Sequence, residues 1–209
     1  MLNIYKLQCS IKFFLDFIFA IILFILFIPI YIGIISVLKI FTDGNIFFKH
    51  NRIGKNGKEF YLYKFRTMKK NRDKILKEYF IKHPDAQLEW KNNHKLKDDP
   101  RITKIGCFLR DFSLDEIPQI LNIIKGEMSF VGPRPIVEKE IEKYGIYFDN
   151  YKKCRPGLTG LWQISGRNNT TYKQRIDFDM YYIKHKSFLL DIKILLKTIP
   201  VVLSKKGAY

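Results

Sequence analysis

An apolar run near the N-terminus is the feature that most constrains how this chain folds. From Phe13 to Leu38, a stretch of 26 residues, only Asp16 carries a charge. About 20 apolar residues are enough for a helix to cross the hydrocarbon core of a bilayer. Pro29 lies inside the run, where it removes a backbone hydrogen bond and clashes with the preceding turn. We therefore expect a membrane helix that is kinked or broken at Pro29.

The charges that flank this run bear on its topology. Lys6 and Lys12 precede it, and a cluster of basic residues follows it between Lys39 and Arg66. Because positive flanks prefer the cytoplasmic side, a re-entrant helix that enters and leaves by one face satisfies both flanks. A straight span would export Lys6 and Lys12, but proline is tolerated in membrane-spanning helices. The residues alone leave both topologies open.

The rest of the chain predicts an α+β body that is mainly helical. Residues 46–53 and 58–67 are rich in β-formers and flank a Gly-Lys-Asn-Gly turn, which predicts a β-hairpin. Residues 69–95 have helical spacing, and Pro84 divides them into two predicted helices. Residues 189–203 alternate Leu and Ile with charges, so this helix either packs on the body or lies on the membrane surface.

The charge balance limits the partners. A net charge of +17, from 37 Lys and Arg against 20 Asp and Glu, indicates an acidic partner such as phosphate, anionic lipid or nucleic acid. The three cysteines and four histidines are scattered along the chain without metal-ligand spacing. A zinc centre therefore has little support.

Asp115 and Glu116 form an acidic pair in a region that is otherwise rich in arginine. One carboxylate could attack phosphorus while the other holds a metal or orients a group. Ser113 and Glu116 also match a capping box, in which both side chains serve only a helix start. Pro118 favours a different start, near Ile117, which would leave the two carboxylates in the preceding loop.

Several basic residues are candidates for binding phosphate. Arg134 lies between two prolines, so a stiff loop presents its guanidinium with little entropy to lose. The alternative is a tight turn whose arginine pairs with a surface carboxylate. Lys64 and Arg66 alternate with Phe65 along a predicted strand, so both face one side and Phe65 faces the core. A solvated strand face is the competing interpretation.

Motifs distributed over nearly the whole chain resemble one family, the bacterial sugar transferases, also called monotopic phosphoglycosyl transferases. The matching segments are Lys64-Phe-Arg-Thr-Met68, Asp99-Pro-Arg-Ile-Thr103, Ser113-Leu-Asp-Glu-Ile-Pro-Gln119, residues 122–135 ending in Gly-Pro-Arg-Pro, Arg155-Pro-Gly-Leu-Thr-Gly-Leu-Trp-Gln163 and Ser165-Gly-Arg-Asn168. The ending Lys206-Gly-Ala-Tyr209 is similar to that of hexose-1-phosphate members.

The resemblance implies an architecture and a location. Residues 1–40 would form a re-entrant membrane anchor, which favours that topology over a straight span. Residues 41–209 would form the catalytic body on the cytoplasmic face of the bacterial inner membrane, with C-terminal helices at the interface. Inner-leaflet lipids and downstream glycosyltransferases would be partners, a homodimer is compatible with the family, and nucleic acid is not expected.

The resemblance also implies a reaction. A hexose 1-phosphate, such as that of galactose or glucose, would pass from a UDP-sugar to undecaprenyl phosphate in a two-step reaction that releases UMP and begins surface polysaccharide synthesis. Asp115 would be the nucleophile, and Glu116 would assist it either by holding the metal or by orienting Asp115. Mg²⁺ would be held by Asp115, Glu116 and Asp179. The predicted substrate and phosphate contacts are Lys64, Arg66, Arg110, Arg134, Arg155, Gln163 and Arg167.

Two other functions compete with this one. The first is a basic membrane-tethered module that binds nucleic acid or lipid without catalysis; it explains the charge but neither the acidic pair nor the proline-held Arg134. The second is a transferase that uses one direct displacement without a covalent intermediate. Kinetics that require a ternary complex would be its signature.

Overall fold

The structure is a computed structural model that describes residues 2–42, 44–93, 96, 98–166 and 170–204. As predicted, these residues are mainly helical. The α-helices are α1 (Leu2–Leu26), α2 (Ile28–Phe41), α3 (Arg72–Lys82), α4 (Pro84–Asn93), α5 (Lys104–Asp111), α6 (Ile120–Ile124), α7 (Ile141–Tyr144), α8 (Phe148–Tyr151), α9 (Leu161–Ile164), α10 (Tyr172–His185) and α11 (Phe188–Leu203). Short 3₁₀ helices span Lys55–Gly57, Leu114–Gln119, Glu138–Glu140 and Gly145–Tyr147. The strands are β1 (Phe47–Ile53), β2 (Glu59–Phe65), β3 (Ser129–Val131) and β4 (Gly157–Thr159).

The apolar N-terminal segment is interrupted between α1 and α2, so the predicted break is confirmed. Phe27 leaves the helical conformation with φ −89° and ψ 1°, and Pro29 lies in the first turn of α2. Proline is tolerated there because the amide that it lacks would have no partner inside the helix. Among the described residues, Cys9–Leu26 of α1 is long and apolar enough to cross a membrane.

Both ends of this segment contact the same body. On α1, Lys12 Nζ lies 2.6 Å from Asp191 Oδ2 of α11. On α2, the hydroxyl of Tyr31 donates to the carbonyl of Ile117, and Leu38 is fully buried in a cluster that includes Leu109. Both helices of the apolar segment thus contact the rest of the described chain.

The predicted β-hairpin is confirmed. β1 and β2 pair antiparallel from Phe47 opposite Phe65 to Ile53 opposite Glu59. Gly57 lies in the intervening turn with a φ of +74°, a conformation that glycine adopts without strain. Phe65 is buried in the core, as its alternation with Lys64 predicts.

The charged stretch after the hairpin forms two helices, α3 and α4. Pro84 begins α4, so the predicted division at this proline is also confirmed. The ring centroids of Phe80 and Trp90 lie 6.2 Å apart, which joins the two helices.

A short parallel pairing of β3 with β4 was not predicted from the sequence. Ser129 pairs with Gly157 and Val131 with Thr159. A Cβ atom on Gly132 would lie 2.5 Å from the carbonyl oxygen of Arg155, so the backbones approach too closely for any other residue. Strands of three residues are too short for a period-two pattern to reveal them.

The main hydrophobic core joins the apolar segment to the rest of the chain. Its buried members come from α1, β2, α6, β3, α10, α11 and the residue before β3: Ala20, Phe60, Leu62, Ile120, Ile123, Met128, Phe130, Val131, Tyr182 and Ile194. Since α6 follows directly on the 3₁₀ helix that carries the acidic pair, this core also holds that pair in position.

Candidate active site

The acidic pair lies in the 3₁₀ helix Leu114–Gln119. Ser113 precedes it in the left-handed conformation, with φ 54° and ψ 22°, and its side chain makes no capping hydrogen bond. The capping-box interpretation is therefore wrong. The prediction that the two carboxylates lie in a loop before Ile117 is also wrong, because the 3₁₀ helix begins at Leu114 and includes Pro118. Short 3₁₀ turns often join helices, and this one leads directly into α6.

Lys64 of β2 reaches both carboxylates. Its Nζ lies 2.5 Å from Glu116 Oε1 and 3.5 Å from Asp115 Oδ2. Adjacent side chains on a helix normally diverge. Here one ammonium group bridges them and holds both toward the same side.

Asn122 of α6 holds the strand that carries Lys64. Its Oδ1 accepts from the backbone amide of Tyr63 at 3.1 Å, and its Nδ2 donates to the carbonyl of Tyr61 at 2.7 Å. Nδ2 also donates to Glu127 at 2.7 Å. The fully buried amide therefore occupies the edge of β2 that β1 does not cover. This bond pattern sets the position of β2 against the acidic pair.

Asp115 is buried, with 7% of its surface exposed. Burial raises the pKa of its carboxyl above the ordinary aspartate value; the charge of Lys64 opposes this rise, that of Glu116 adds to it, and Arg110 opposes it. A buried carboxylate beside cations has the chemistry of a nucleophile or of a metal ligand.

A cleft of about 1310 Å³ opens beside the acidic pair. Its polar lining includes Arg52, Lys64, Arg66, Arg110, Asp115, Glu116, Arg134 and Gln163. Its apolar lining includes Phe19 and Leu23 of α1, Phe27 between α1 and α2, and Leu196, Ile199 and Leu203 of α11. One continuous opening therefore brings together cationic groups, the acidic pair and apolar side chains.

Of the predicted phosphate contacts, Lys64, Arg66, Arg110, Arg134 and Gln163 all line this cleft together with the acidic pair. Arg134 lies over the ring of Trp162, with its Cζ 4.8 Å from the ring centroid. Arg134 Nε and Gln163 Oε1 are buried, and neither has a hydrogen-bond partner among the described residues. Buried polar atoms are normally paired, so these two are available to a ligand.

Arg155, another predicted phosphate contact, binds groups other than the acidic pair. Its Nη2 lies 2.9 Å from Asp16 Oδ2 of α1, and its Nη1 donates to the carbonyl of Met128 at 3.1 Å. Ser129 donates to the same carboxylate at 2.8 Å. The structure thus commits Arg155 to the apolar segment and does not bring it to the acidic pair. Arg167 lies outside the described residues, as do part of the Ser165–Asn168 motif and the Lys206–Tyr209 ending.

Asp179 of α10 also lies apart from the acidic pair. It is almost fully buried, and its Oδ2 accepts from the hydroxyl of Tyr144 at 2.6 Å and from the backbone amide of Arg134 at 3.4 Å. Burial raises the pKa of Asp179 to about 7. Among the described residues no group of three His, Cys, Asp or Glu side chains could hold a metal, so the three predicted ligands do not form one set.

Sequence reasoning missed Arg52, which lines the cleft. Burial, followed by the charge of Arg134, lowers the pKa of Arg52 to about 10. Its Nη1 donates to the carbonyl of Pro135 at 3.0 Å, which joins β1 to the loop that carries Arg134. A signal was present: Phe48, His50 and Arg52 alternate along β1, and Phe48 pairs directly with Lys64. Residues opposite one another on a hairpin share a face.

Comparisons with known proteins agree with the motifs. A family model described as bacterial sugar transferase matches residues 7–205. The chain is 49% identical over 194 residues to the exopolysaccharide production protein ExoY of Sinorhizobium fredii, covering 93% of this chain and 86% of that protein. It is 49% identical over 172 residues to the undecaprenyl-phosphate galactose phosphotransferase of Salmonella typhimurium. It is 38% identical over 189 residues to the UDP-glucose:undecaprenyl-phosphate glucose-1-phosphate transferase of Xanthomonas campestris. These last two alignments cover 82% and 87% of this chain but only 36% of each relative.

Proposed function

Because the chain belongs to the bacterial sugar transferase family, we propose that it transfers a hexose 1-phosphate from a UDP-sugar to undecaprenyl phosphate and releases UMP. The observation that carries this proposal is the cleft that is lined by Asp115 and Glu116, by cations and by apolar side chains together. A donor diphosphate matches the cations, and a lipid acceptor matches the apolar lining. Family membership also argues against the non-catalytic module that the charge alone allowed.

The names of the relatives support the substrate class. The Salmonella protein is named for galactose phosphate transfer and the Xanthomonas protein for glucose 1-phosphate transfer, both onto undecaprenyl phosphate. The ExoY relative is named for exopolysaccharide production. We propose a hexose donor and a role in surface polysaccharide synthesis for this chain.

The reaction we propose has two displacements. In the first, a carboxylate oxygen of Asp115 forms a bond to the sugar-bearing phosphorus, and the bond from that phosphorus to the bridging oxygen breaks, so UMP leaves. In the second, a phosphate oxygen of the lipid attacks the same phosphorus, the bond to Asp115 breaks, and the carboxylate is regenerated. Covalent catalysis divides one difficult transfer into two easier steps.

The cations of the cleft support the first displacement. Lys64 opposes the rise in the pKa of Asp115, and this favours the ionised nucleophile. Arg134 is held by Trp162 and by the backbone of its proline-flanked loop, so its guanidinium loses little freedom when it binds a phosphate. Arg110, which donates to Thr67 Oγ1 at 3.0 Å, adds a second oriented cation.

The donor set also fits Mg²⁺. The carboxylates of Asp115 and Glu116 converge on one cationic group, the ammonium of Lys64, and carboxylate oxygens are the ligands that Mg²⁺ prefers. We propose that these two residues hold the ion together with substrate oxygens. When bound, Mg²⁺ would offset the charge that develops on the leaving phosphate.

We further propose that residues 1–40 form a re-entrant anchor and that residues 41–209 form a catalytic body on the cytoplasmic face of the inner membrane. The contacts of both arms with this body support the re-entrant topology. Lys12 on α1 and Leu38 on α2 lie at the two ends of the apolar run, and a straight span would put them on opposite sides of the bilayer. Exposed apolar side chains on α11, including Phe188 and Leu189, support contact with the interface.

Intact-protein mass spectrometry tests the covalent step. Nanodisc-embedded protein is incubated with Mg²⁺ and each of several UDP-sugars, and the expected result is a mass gain of one hexose phosphate. Asp115→Asn should abolish the gain, whereas Asp177→Asn, which removes an exposed carboxylate on α10, should preserve it. UMP release that requires the lipid, with no adduct for any donor, would instead favour direct displacement.

A further inference from the structure

Glu140 is a carboxylate that lies next to the cleft without lining it. It ends the 3₁₀ helix Glu138–Glu140, and its Oε2 accepts from the backbone amide of Val137 at 2.9 Å. Within the described part of the chain, Arg52 and Arg134 line the cleft, whereas Glu140 does not. Any effect of Glu140 on a bound substrate therefore passes through other residues.

The carboxylate of Glu140 lies between two arginines that are distant in sequence. Its Oε2 lies 3.8 Å from Nη1 of Arg52 on β1, and its Oε1 lies 3.7 Å from Nη1 of Arg175 on α10. At most 18% of each of the three side chains is exposed. Partly buried ion pairs are screened by salt much less than exposed ones, so the charge of Glu140 acts on both arginines.

Each of these two arginines contacts a group that holds Arg134. Nη1 of Arg52 donates at 3.0 Å to the carbonyl of Pro135, the residue after Arg134. Arg175 lies over the ring of Trp162 with its Cζ 4.3 Å from the ring centroid, and Arg134 lies over the same ring at 4.8 Å. Glu140 is thus connected, through Arg52 and Arg175, to the loop and to the ring that orient Arg134.

Arg134 repels the two arginines that Glu140 pairs with. Burial, followed by the charge of Arg134, lowers the pKa of both Arg52 and Arg175, and the charge of Glu140 opposes this effect. In the part of the chain that the structure describes, the ion pairs of these two arginines are those with Glu140. The buried Nε atom of each of the three arginines has no hydrogen-bond partner among the described residues. Loss of the Glu140 charge would therefore leave this repulsion with little to oppose it.

We propose that Glu140 is a positioning residue that keeps the guanidinium of Arg134 directed into the cleft. Its charge holds Arg52 and Arg175 in place, and these two side chains hold the loop and the indole ring that orient Arg134. This inference rests on the proposed function, in which Arg134 binds a phosphate of the donor. It adds a residue that lies outside both the cleft and the family motifs.

Fluorescence of Trp162 measures the positioning in the absence of any substrate. The chain has two tryptophans, so Trp90→Phe leaves Trp162 as the single reporter. In that background Glu140→Gln removes the charge but can still accept from the amide of Val137. It should shift the emission of Trp162, because the guanidiniums move relative to the ring. Glu138→Gln, an exposed change on the same 3₁₀ helix, should leave the emission unchanged, and equal spectra for the two variants would overturn the proposal.

Adduct formation measures the effect on the donor. In the otherwise wild-type chain, Glu140→Gln should raise the UDP-sugar concentration for half-maximal adduct formation by about tenfold, the effect of weakening a hydrogen bond to a charged group. The rate at saturating donor should change much less, because Asp115 and Lys64 are untouched. Glu138→Gln should match the wild-type protein in both quantities. A lower saturating rate with an unchanged half-maximal concentration in Glu140→Gln would contradict the positioning role.

A double-variant cycle separates positioning from a general loss of structure. Because Glu140 acts through Arg134, Glu140→Gln should cause no further rise in the half-maximal concentration when Arg134→Met is already present. Independent, additive effects would overturn the proposal. Failure of the wild-type protein to form any adduct would count against the proposed function, whereas the fluorescence comparison tests the positioning separately.

Discussion

The guanidinium of Arg155 is bound to the carboxylate of Asp16 at 2.9 Å, which joins a buried charge in the apolar segment to the residue that precedes Pro156 and β4. Ser129 and the carbonyl of Met128 complete the network. Since a charge in an apolar helix is costly unless it is paired, this contact explains how Asp16 is accommodated in α1.

The first prediction follows from this pair. Arg155→Met should lower the free energy of unfolding by about 3 to 5 kcal/mol, because the carboxylate of Asp16 is then buried and unpaired. The double variant with Asp16→Asn should lose less than the sum of the single changes. Denaturant unfolding in detergent measures both effects.

The control for this prediction is Lys74→Met, which removes an exposed cation of α3 and should have little effect. Weaker donor binding in Arg155→Met, with unchanged stability and no coupling to Asp16, would identify Arg155 as a phosphate contact instead.

The second prediction concerns the pH dependence of adduct formation. Burial raises the pKa of Asp115, so the rate should fall with decreasing pH at a higher pH than an ordinary aspartate would produce. Lys64→Met removes a charge that lowers this pKa and should move the inflection to higher pH. Glu116→Gln removes a charge that raises it and should move the inflection of its residual rate to lower pH.

Rapid-quench mass spectrometry across a pH series measures these inflections. Lys58→Met changes an exposed residue just before β2 and should give the same pH–rate profile as the wild-type protein. Shifts in the same direction for the Lys64 and Glu116 variants would contradict the electrostatic explanation.

The third prediction concerns Asn122. Asn122→Ala removes the acceptor for the amide of Tyr63 and a donor to the carbonyl of Tyr61, so it should cost about 1 to 3 kcal/mol of stability. It should also slow adduct formation, because the strand that carries Lys64 is released. Hydrogen exchange at the Tyr63 amide should accelerate.

Asn150→Ala is the control here, since the side chain of Asn150 is bound only to an exposed lysine. Unchanged exchange at Tyr63 in Asn122→Ala would mean that the buried amide does not hold β2.

The fourth prediction concerns the pH dependence of stability. Burial raises the pKa of Asp179 from an ordinary 3.8 to about 7, so between these values the folded protein binds a proton that the unfolded chain has released. Stability from this group is present at low pH and is lost as pH rises through about 7. Asp179→Asn should make stability less dependent on pH over this range.

Unfolding temperatures in detergent, measured across this pH range, show how steeply stability falls as pH rises. Asp177→Asn changes an exposed carboxylate two residues away and should retain the wild-type slope. Parallel curves for Asp179→Asn and the wild-type protein would show that the carboxyl does not titrate in this range.

Local patterns predicted several elements correctly. Pro29 interrupts the apolar segment, Pro84 divides the charged stretch, and the alternation of Phe65 with Lys64 assigns the two faces of β2. These features depend on residues that are neighbours in the chain. The β3 and β4 pairing escaped prediction because strands this short gain their stability from partners distant in sequence.

The features of the candidate site also divide into those that local sequence specifies and those that tertiary contacts specify. The sequence by itself determined that an acidic pair, a proline-held Arg134 and a broken apolar segment occur together, since adjacent residues and backbone chemistry specify each of them. Only the tertiary structure decided which charges meet: Lys64 reaches Asp115, while Arg155 is drawn to Asp16. The reason is physical. A buried charge needs a partner of opposite sign, and packing between distant segments selects that partner.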